Sequence, residues 1–168
     1  MKKYKLTKKT KKLNGITLYQ IKALKNFNGV KKGDKGGWIE KEENLSQEGN
    51  AWVSGDALVF GDALVFGDAW ASGNALVSGN ALVFGDAWVS GDAWISGNAW
   101  IYGDSRIYKK IKISGGRFYH TKEKDEKIKI VDTTNGKYDT LAVRPQIKNS
   151  INEKNKNNTN HRKRTFND

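Results

Sequence analysis

The stretch GNAWVSGDALVFGDALVFGDAWASGNALVSGNALVFGDAWVSGDAWISGNAWIYGDSRIY, residues 49–108, brings Gly back at every sixth place, from Gly49 to Gly103. Re-phased, its ten hexads read Ala-x-Val/Ile-x-Gly-Asp/Asn. Within Ala-x-Val-x the period is two, the signature of a short strand, with Ala and Val/Ile on one face and the two x positions on the other. Gly-Asp and Gly-Asn then break the strand, because Gly accepts positive φ and Asn or Asp tolerates it. Strand and corner alternating every six residues describe a solenoid. A hairpin meander is the alternative, but its four-residue strands leave the Ala/Val stripe little to pack against. In a coil, three hexads close one triangular turn and the next turn stacks on it at about 4.8 Å in parallel.

The outward positions support a turn of 18 residues. Trp52, Trp70 and Trp88 recur at that spacing beside Ser54, Ser72 and Ser90. On another face Leu64, Leu82 and Trp100 line up beside Phe66, Phe84 and Tyr102. Two columns of large apolar side chains exceed what a lone soluble chain usually exposes, so they are expected to form protein interfaces. The face of Leu64, Phe66, Leu82, Phe84, Trp100 and Tyr102 is the expected self-association surface, giving a homodimer or homotrimer. The Trp column is a second aromatic face. Plain cross-strand stacking is the competing structural explanation for both. The Ser column reads as a small-residue stripe. At the corners Asp and Asn alternate; turn chemistry, with Asn diluting carboxylate repulsion, is preferred there over a cation site.

Charge divides the chain. Residues 1–44 carry 13 Lys against 4 acids, residues 45–105 carry 7 acids and no Lys or Arg, and residues 106–168 are strongly basic; the net charge is +12. Basic ends suit an acidic protein surface or nucleic acid, through Lys8, Lys9, Lys11 and Lys12 or Arg162, Lys163 and Arg164; solubility alone is the simpler explanation. There is no Cys, hence no disulfide and no thiolate metal site. The opening residues are Lys-rich without the apolar run of a signal peptide, and no stretch approaches a membrane span, so a soluble, cytoplasmic protein is expected.

Flanking segments complete the organisation. Residues 1–48 read as a basic β cap, with strands over Lys3–Thr7 and Gly15–Lys22 joined by a Lys-rich turn, and with Gly33, Gly36 and Gly37 marking a loop. Such a cap is needed because a stacked coil exposes unpaired edges. Residues 49–114 form the repeat region, in which KKIKIS after Tyr108 is a degenerate eleventh hexad. Residues 115–145 read as a small β appendage, with Gly115–Thr121, Lys127–Asp132 and Lys137–Val143 as strands and Asn135-Gly136 as a hairpin turn. Residues 146–168 read as a polar, disordered tail.

The hexad Val/Ile-x-Gly-Asp/Asn-Ala-x resembles the repeat of left-handed parallel β-helix proteins, and left-handedness is what that resemblance implies. KKGDKGGWIEKEENLSQEGNAWVSGDA, residues 31–57, resembles the N-terminal segment of YdcK-like hexapeptide-repeat proteins of bacteria and prophages. The fold class is therefore all-β, a parallel β-helix with β caps at both ends. Hexapeptide-repeat acyltransferases typically take a general base His from the coil and insert a loop between hexads. Residues 49–108 contain neither; the two His are His120 and His161. No phosphate loop, nucleophile elbow or His cluster is present. A non-catalytic scaffold or binding module without cofactor or metal is the expectation. The alternatives are a phage-encoded inhibitor of a host defence nuclease, of the anti-CRISPR kind, that binds a host protein or nucleoprotein complex through the basic ends, and a degenerate acyltransferase relative.

Overall fold

The computed structural model describes residues 1–118. Residues 52–118 wind into four parallel coils of three strands each, which stack into three sheets. Trp52–Val53 pairs with Trp70–Ala71, which pairs with Trp88–Val89 and that with Arg106–Ile107. Leu58–Val59, Leu76–Val77, Trp94–Ile95 and Lys112–Ile113 form the second sheet. Leu64–Val65, Leu82–Val83, Trp100–Ile101 and Arg117–Phe118 form the third. Regular ladder covers only two residues of each expected four-residue strand, because the corners begin at once on either side.

The corners explain the Gly period. All ten repeat glycines have φ between 57° and 69°, the left-handed region that costs an L-residue energy. They also stack: a Cβ on Gly79 would lie 2.9 Å from the backbone N of Gly97, one coil on. Inside, the Ala of each hexad and its Val or Ile partner are essentially buried from Ala51 to Ile101. The core is thus a thin prism of small and branched side chains, closed by inter-coil bonds such as Leu58 N donating to Ala75 O at 2.9 Å.

The fourth coil departs from the repeat. Lys109 takes the corner glycine's place at φ 67°, and Ile113 is fully buried in the position of Val or Ile. KKIKIS is therefore the eleventh hexad. The coil does not stop at 114. Arg117–Phe118, expected in a separate appendage, pairs in parallel with Trp100–Ile101 after a step of five rather than six residues. The remaining strands of the expected appendage, the turn at Asn135-Gly136 and the tail 146–168 lie outside the described residues.

The N-terminal cap differs from its expected form in a way that matters for charge. Strand β1 (Tyr4–Leu13) runs through the whole Lys-rich segment, and β2 (Ile16–Ala23) pairs with it antiparallel. The turn is Asn14-Gly15, with φ of 46° and 85°, the two-residue hairpin geometry favoured by the strand twist. Gly36 and Gly37 belong not to a loop but to β3 (Lys35–Ile39). A Cβ on Gly36 would meet Val53 O at 2.6 Å, and one on Gly37 would meet Ala57 O at 2.7 Å, so only Gly lets the cap sit on the first coil. β3 is antiparallel to β2 and parallel to Leu58–Val59. The cap therefore extends one coil face into a seven-stranded sheet.

The first coil's carbonyls point at the cap and need donors. Lys3 is fully buried there and its Nζ donates to Ala51 O at 2.8 Å and Glu48 O at 3.2 Å. Asn44, also fully buried, donates its side-chain N–H groups to Ala63 O at 2.8 Å and Gly61 O at 3.0 Å. Two polar side chains thereby close an edge that a strand closes on the third face.

Candidate functional site

Every outward column predicted from the 18-residue spacing is present in register. On the third sheet Leu64, Leu82 and Trp100 are cross-coil partners. Beside them the rings of Phe66 and Phe84 stack at 4.8 Å with an interplanar angle of 7°, and Phe84 and Tyr102 at 5.0 Å and 6°. Trp100 meets Phe84 edge-on at 6.3 Å. All six side chains are half-buried. One coil repeat sets the ring spacing, so the three rings form a flat ridge with their faces against each other and their edges outward.

The Trp column needs a correction. Trp52, Trp70 and Trp88 do stack in register, but they do not form one exposed face. Trp52 is 2% exposed, whereas Trp88 is 46% exposed. Phe27 and Tyr4 of the cap pack edge-on against Trp52, with ring centroids 5.4 and 6.4 Å away. Phe27 is held there by a second Asn-Gly turn, Asn28-Gly29, closing its bridge to Val30. Trp52 is core, and the surface portion of the column is Trp70 and Trp88.

Three features were missed in the sequence. First, the Ser column has a partner: Trp70 Nε1 donates to Ser54 Oγ at 2.9 Å, and Trp88 Nε1 to Ser72 Oγ at 3.1 Å. The signal was a Ser sixteen places before a Trp. Second, Trp94 on the second sheet is 43% exposed above Leu76 and Leu58, an outward column equal in kind to the other two. Third, all three columns meet a cation in the fourth coil. Arg106 lies 5.8 Å from the Trp88 ring, Lys112 4.8 Å from Trp94 and Arg117 4.4 Å from Trp100. The outermost Trp rings thus carry cation–π contacts.

The corner side chains form ladders. Asn50 donates to Asp68 at 2.9 Å, Asn74 to Asp92 at 3.0 Å and Asn80 to Asn98 at 3.2 Å. Lys11 and Lys41 close two of the columns on Asp56 and Asp62, at 3.4 and 2.9 Å; the bond to Asp62 holds the Lys41 ammonium above its usual pKa. Among the described residues no group of three or more His, Cys, Asp and Glu side chains is placed to hold a metal ion, and no helix is long and apolar enough to cross a membrane.

Of the basic residues singled out in sequence, Lys8, Lys9 and Lys12 are exposed on β1. Lys11 is engaged, with its ammonium on Asp56 and over the Trp38 ring, which Lys9 also covers. Arg162, Lys163, Arg164, His120 and His161 lie outside the described residues.

Comparison with known proteins agrees with this geometry. The family described as the YdcK beta solenoid repeat matches residues 75–91. A protein of Escherichia coli (strain K12) named "Uncharacterized acetyltransferase YdcK" is 38% identical over 61 residues. That match covers 32% of this chain and 19% of the relative. The family match at residues 75–91 lies within the second and third coils. The chain is thus similar to YdcK beta solenoid repeats over part of its coil, and that coil is a parallel β-solenoid.

Proposed function

We propose that this chain is a non-catalytic β-solenoid scaffold that associates through its outer columns, first of all with a second copy of itself. The observation that carries this reading is the coplanar ridge of Phe66, Phe84 and Tyr102 beside Leu64, Leu82 and Trp100. A ridge built on a rigid backbone repeat loses little conformational freedom on docking. Its straight, repeating form suits a symmetric partner presenting the same surface. Light scattering of the purified chain tests it. The expected mass is a multiple of 18.8 kDa, and the Phe66→Ser, Phe84→Ser double variant is expected to return the monomer while keeping its far-UV spectrum. A clean monomer at high concentration overturns the proposal; a double variant that unfolds would assign the two rings to the core.

The printed name of the E. coli relative favours a second reading, an acyltransferase relative that has kept or lost activity. Residues 1–118 contain no His to serve as general base, so the scaffold reading stands ahead of it. Titration calorimetry with acetyl-CoA separates the two: no heat is expected, and saturable binding would reverse their order.

A further inference from the structure

The outer face of the cap gathers lysines that make no ion pair among the described residues, with only Lys9 of these lying over a ring, that of Trp38. Lys5 on β1 is the direct cross-strand partner of Lys22 on β2, and Lys22 of Lys35 on β3. Cross-strand partners share a face, so three ammonium groups stand in one row. A bulge in β1 sets Thr7, Lys8 and Lys9 against the single residue Gln20 and brings two more lysines to the rim. The result is a concavity of about 550 Å³ lined by Lys5, Lys8, Lys9, Lys22, Lys35 and Gln20, with no carboxylate in its wall. Among the described residues the ion pairs use Lys2, Lys11 and Lys41, and none of these five lysines. Like charges directly opposite each other destabilise a sheet. A row of three, in a chain with 6 acids along its coil to draw on, is more than solubility requires.

We propose that this concavity binds the sugar–phosphate backbone of nucleic acid, independently of sequence. Three strands span roughly 10 Å between the outer two, so the row meets more than one phosphate rather than enclosing a single ion. Lys supplies point charges without the bidentate fork of Arg. No aromatic ring lines the wall, so bases have nothing to stack on and the contact is with the backbone. Leu6 and Thr7 complete the wall, and a row of lysine point charges at strand spacing suits the regularly repeated phosphates of nucleic acid better than the irregular carboxylates of an acidic protein. The site does not rest on self-association and lies on a different surface from the ridge.

The test is fluorescence anisotropy of the full chain with a labelled random-sequence 20-base-pair DNA duplex between about 50 and 200 mM salt. Wild type is expected to bind with a steep salt dependence. The variant Lys5→Gln, Lys22→Gln, Lys35→Gln is expected to flatten the log–log slope by about 2.7, at roughly 0.9 per phosphate contact, and to weaken binding at least about tenfold at low salt. Its melting temperature should stay level or rise, since it relieves repulsion; a merely structural trio would lower it. Two comparison variants remove equal charge elsewhere: Lys12→Gln, Lys31→Gln, Lys32→Gln and Arg162→Gln, Lys163→Gln, Arg164→Gln. Failure to bind at low salt overturns the proposal. So does equal weakening by either comparison triple, or binding to phosphatidylserine vesicles without binding to the duplex.

Discussion

Lys3 and Tyr4 sit side by side beneath the cap and respond to pH in opposite directions. Burial, with Lys25 adding to it and Asp68 opposing, pushes the Lys3 ammonium from 10.5 down to about 8. Between those values the unfolded chain holds a proton that the folded chain has released, so stability rises with pH across this window. Burial, with Glu42 and Glu43 adding to it, raises the Tyr4 phenol above its usual 10.0, and its hydroxyl donates to Leu45 O and Glu42 O at 2.6 and 2.8 Å. Above pH 10 the unfolded chain loses this proton and the folded chain keeps it, so stability falls. Thermal melts from pH 7 to 11 should show a maximum near pH 10. Lys3→Met should remove the rise and Tyr4→Phe should soften the fall; a profile unchanged by both variants would refute the assignment. The same scale governs the indole bonds. Ser72→Ala is expected to cost about 0.5–1.5 kcal/mol and to red-shift the fluorescence of Trp88, the donor to that hydroxyl. Gly79→Ala forces both positive φ and a collision with Gly97. It should cost more than about 2 kcal/mol and more than Gly33→Ala, where φ is 100° but nothing lies within 4 Å of the added carbon.

Among the elements, the first and fourth coils depart from the repeat by different means. At the start, β3 lies parallel on Leu58–Val59 while Lys3 and Asn44 supply donors to the carbonyls of the other two faces. In the fourth coil, a basic residue replaces Trp or Leu on each of the three faces and lies over the Trp below it. That substitution gives the acidic coil a cationic fourth turn and places a cation over three indoles at once. Lys112→Ala and Arg117→Ala should each cost about 0.5–1 kcal/mol and make Trp94 and Trp100 more accessible to iodide quenching. Arg106→Ala should cost more, because Arg106 Nη1 also donates to Asp86 O at 2.6 Å. Equal quenching before and after substitution would mean that the cations do not shield the rings.

At the scale of the whole molecule, two surfaces of opposite chemistry predict opposite salt responses. Self-association through the apolar ridge should persist or strengthen from 50 mM to 1 M salt, whereas duplex binding at the lysine concavity should vanish over the same range. Sedimentation at both salt concentrations checks the first, and dissociation of the oligomer at high salt would point to the charged surfaces instead. The period of the coil, its parallel stacking and the partners within the Trp52 and Phe66 columns were legible in the sequence, because a six-residue unit with Gly at the corner and a three-hexad recurrence of Trp favours stacked coils over a meander for burying Ala and Val. Which members of a column are surface was not legible. Trp52 and Trp88 occupy equivalent repeat positions, and only the packing of Phe27 and Tyr4 on the first coil makes one core and the other exposed. Nor was the lysine row legible, since Lys5, Lys22 and Lys35 are distant in sequence and meet only through strand register and two bulges. Local period is a property of consecutive residues, so the sequence by itself determined the coil. Burial and charge clustering depend on what non-consecutive segments bring together, so the tertiary structure alone decided how the cap seats on the first coil, the roofed Trp and the cationic concavity.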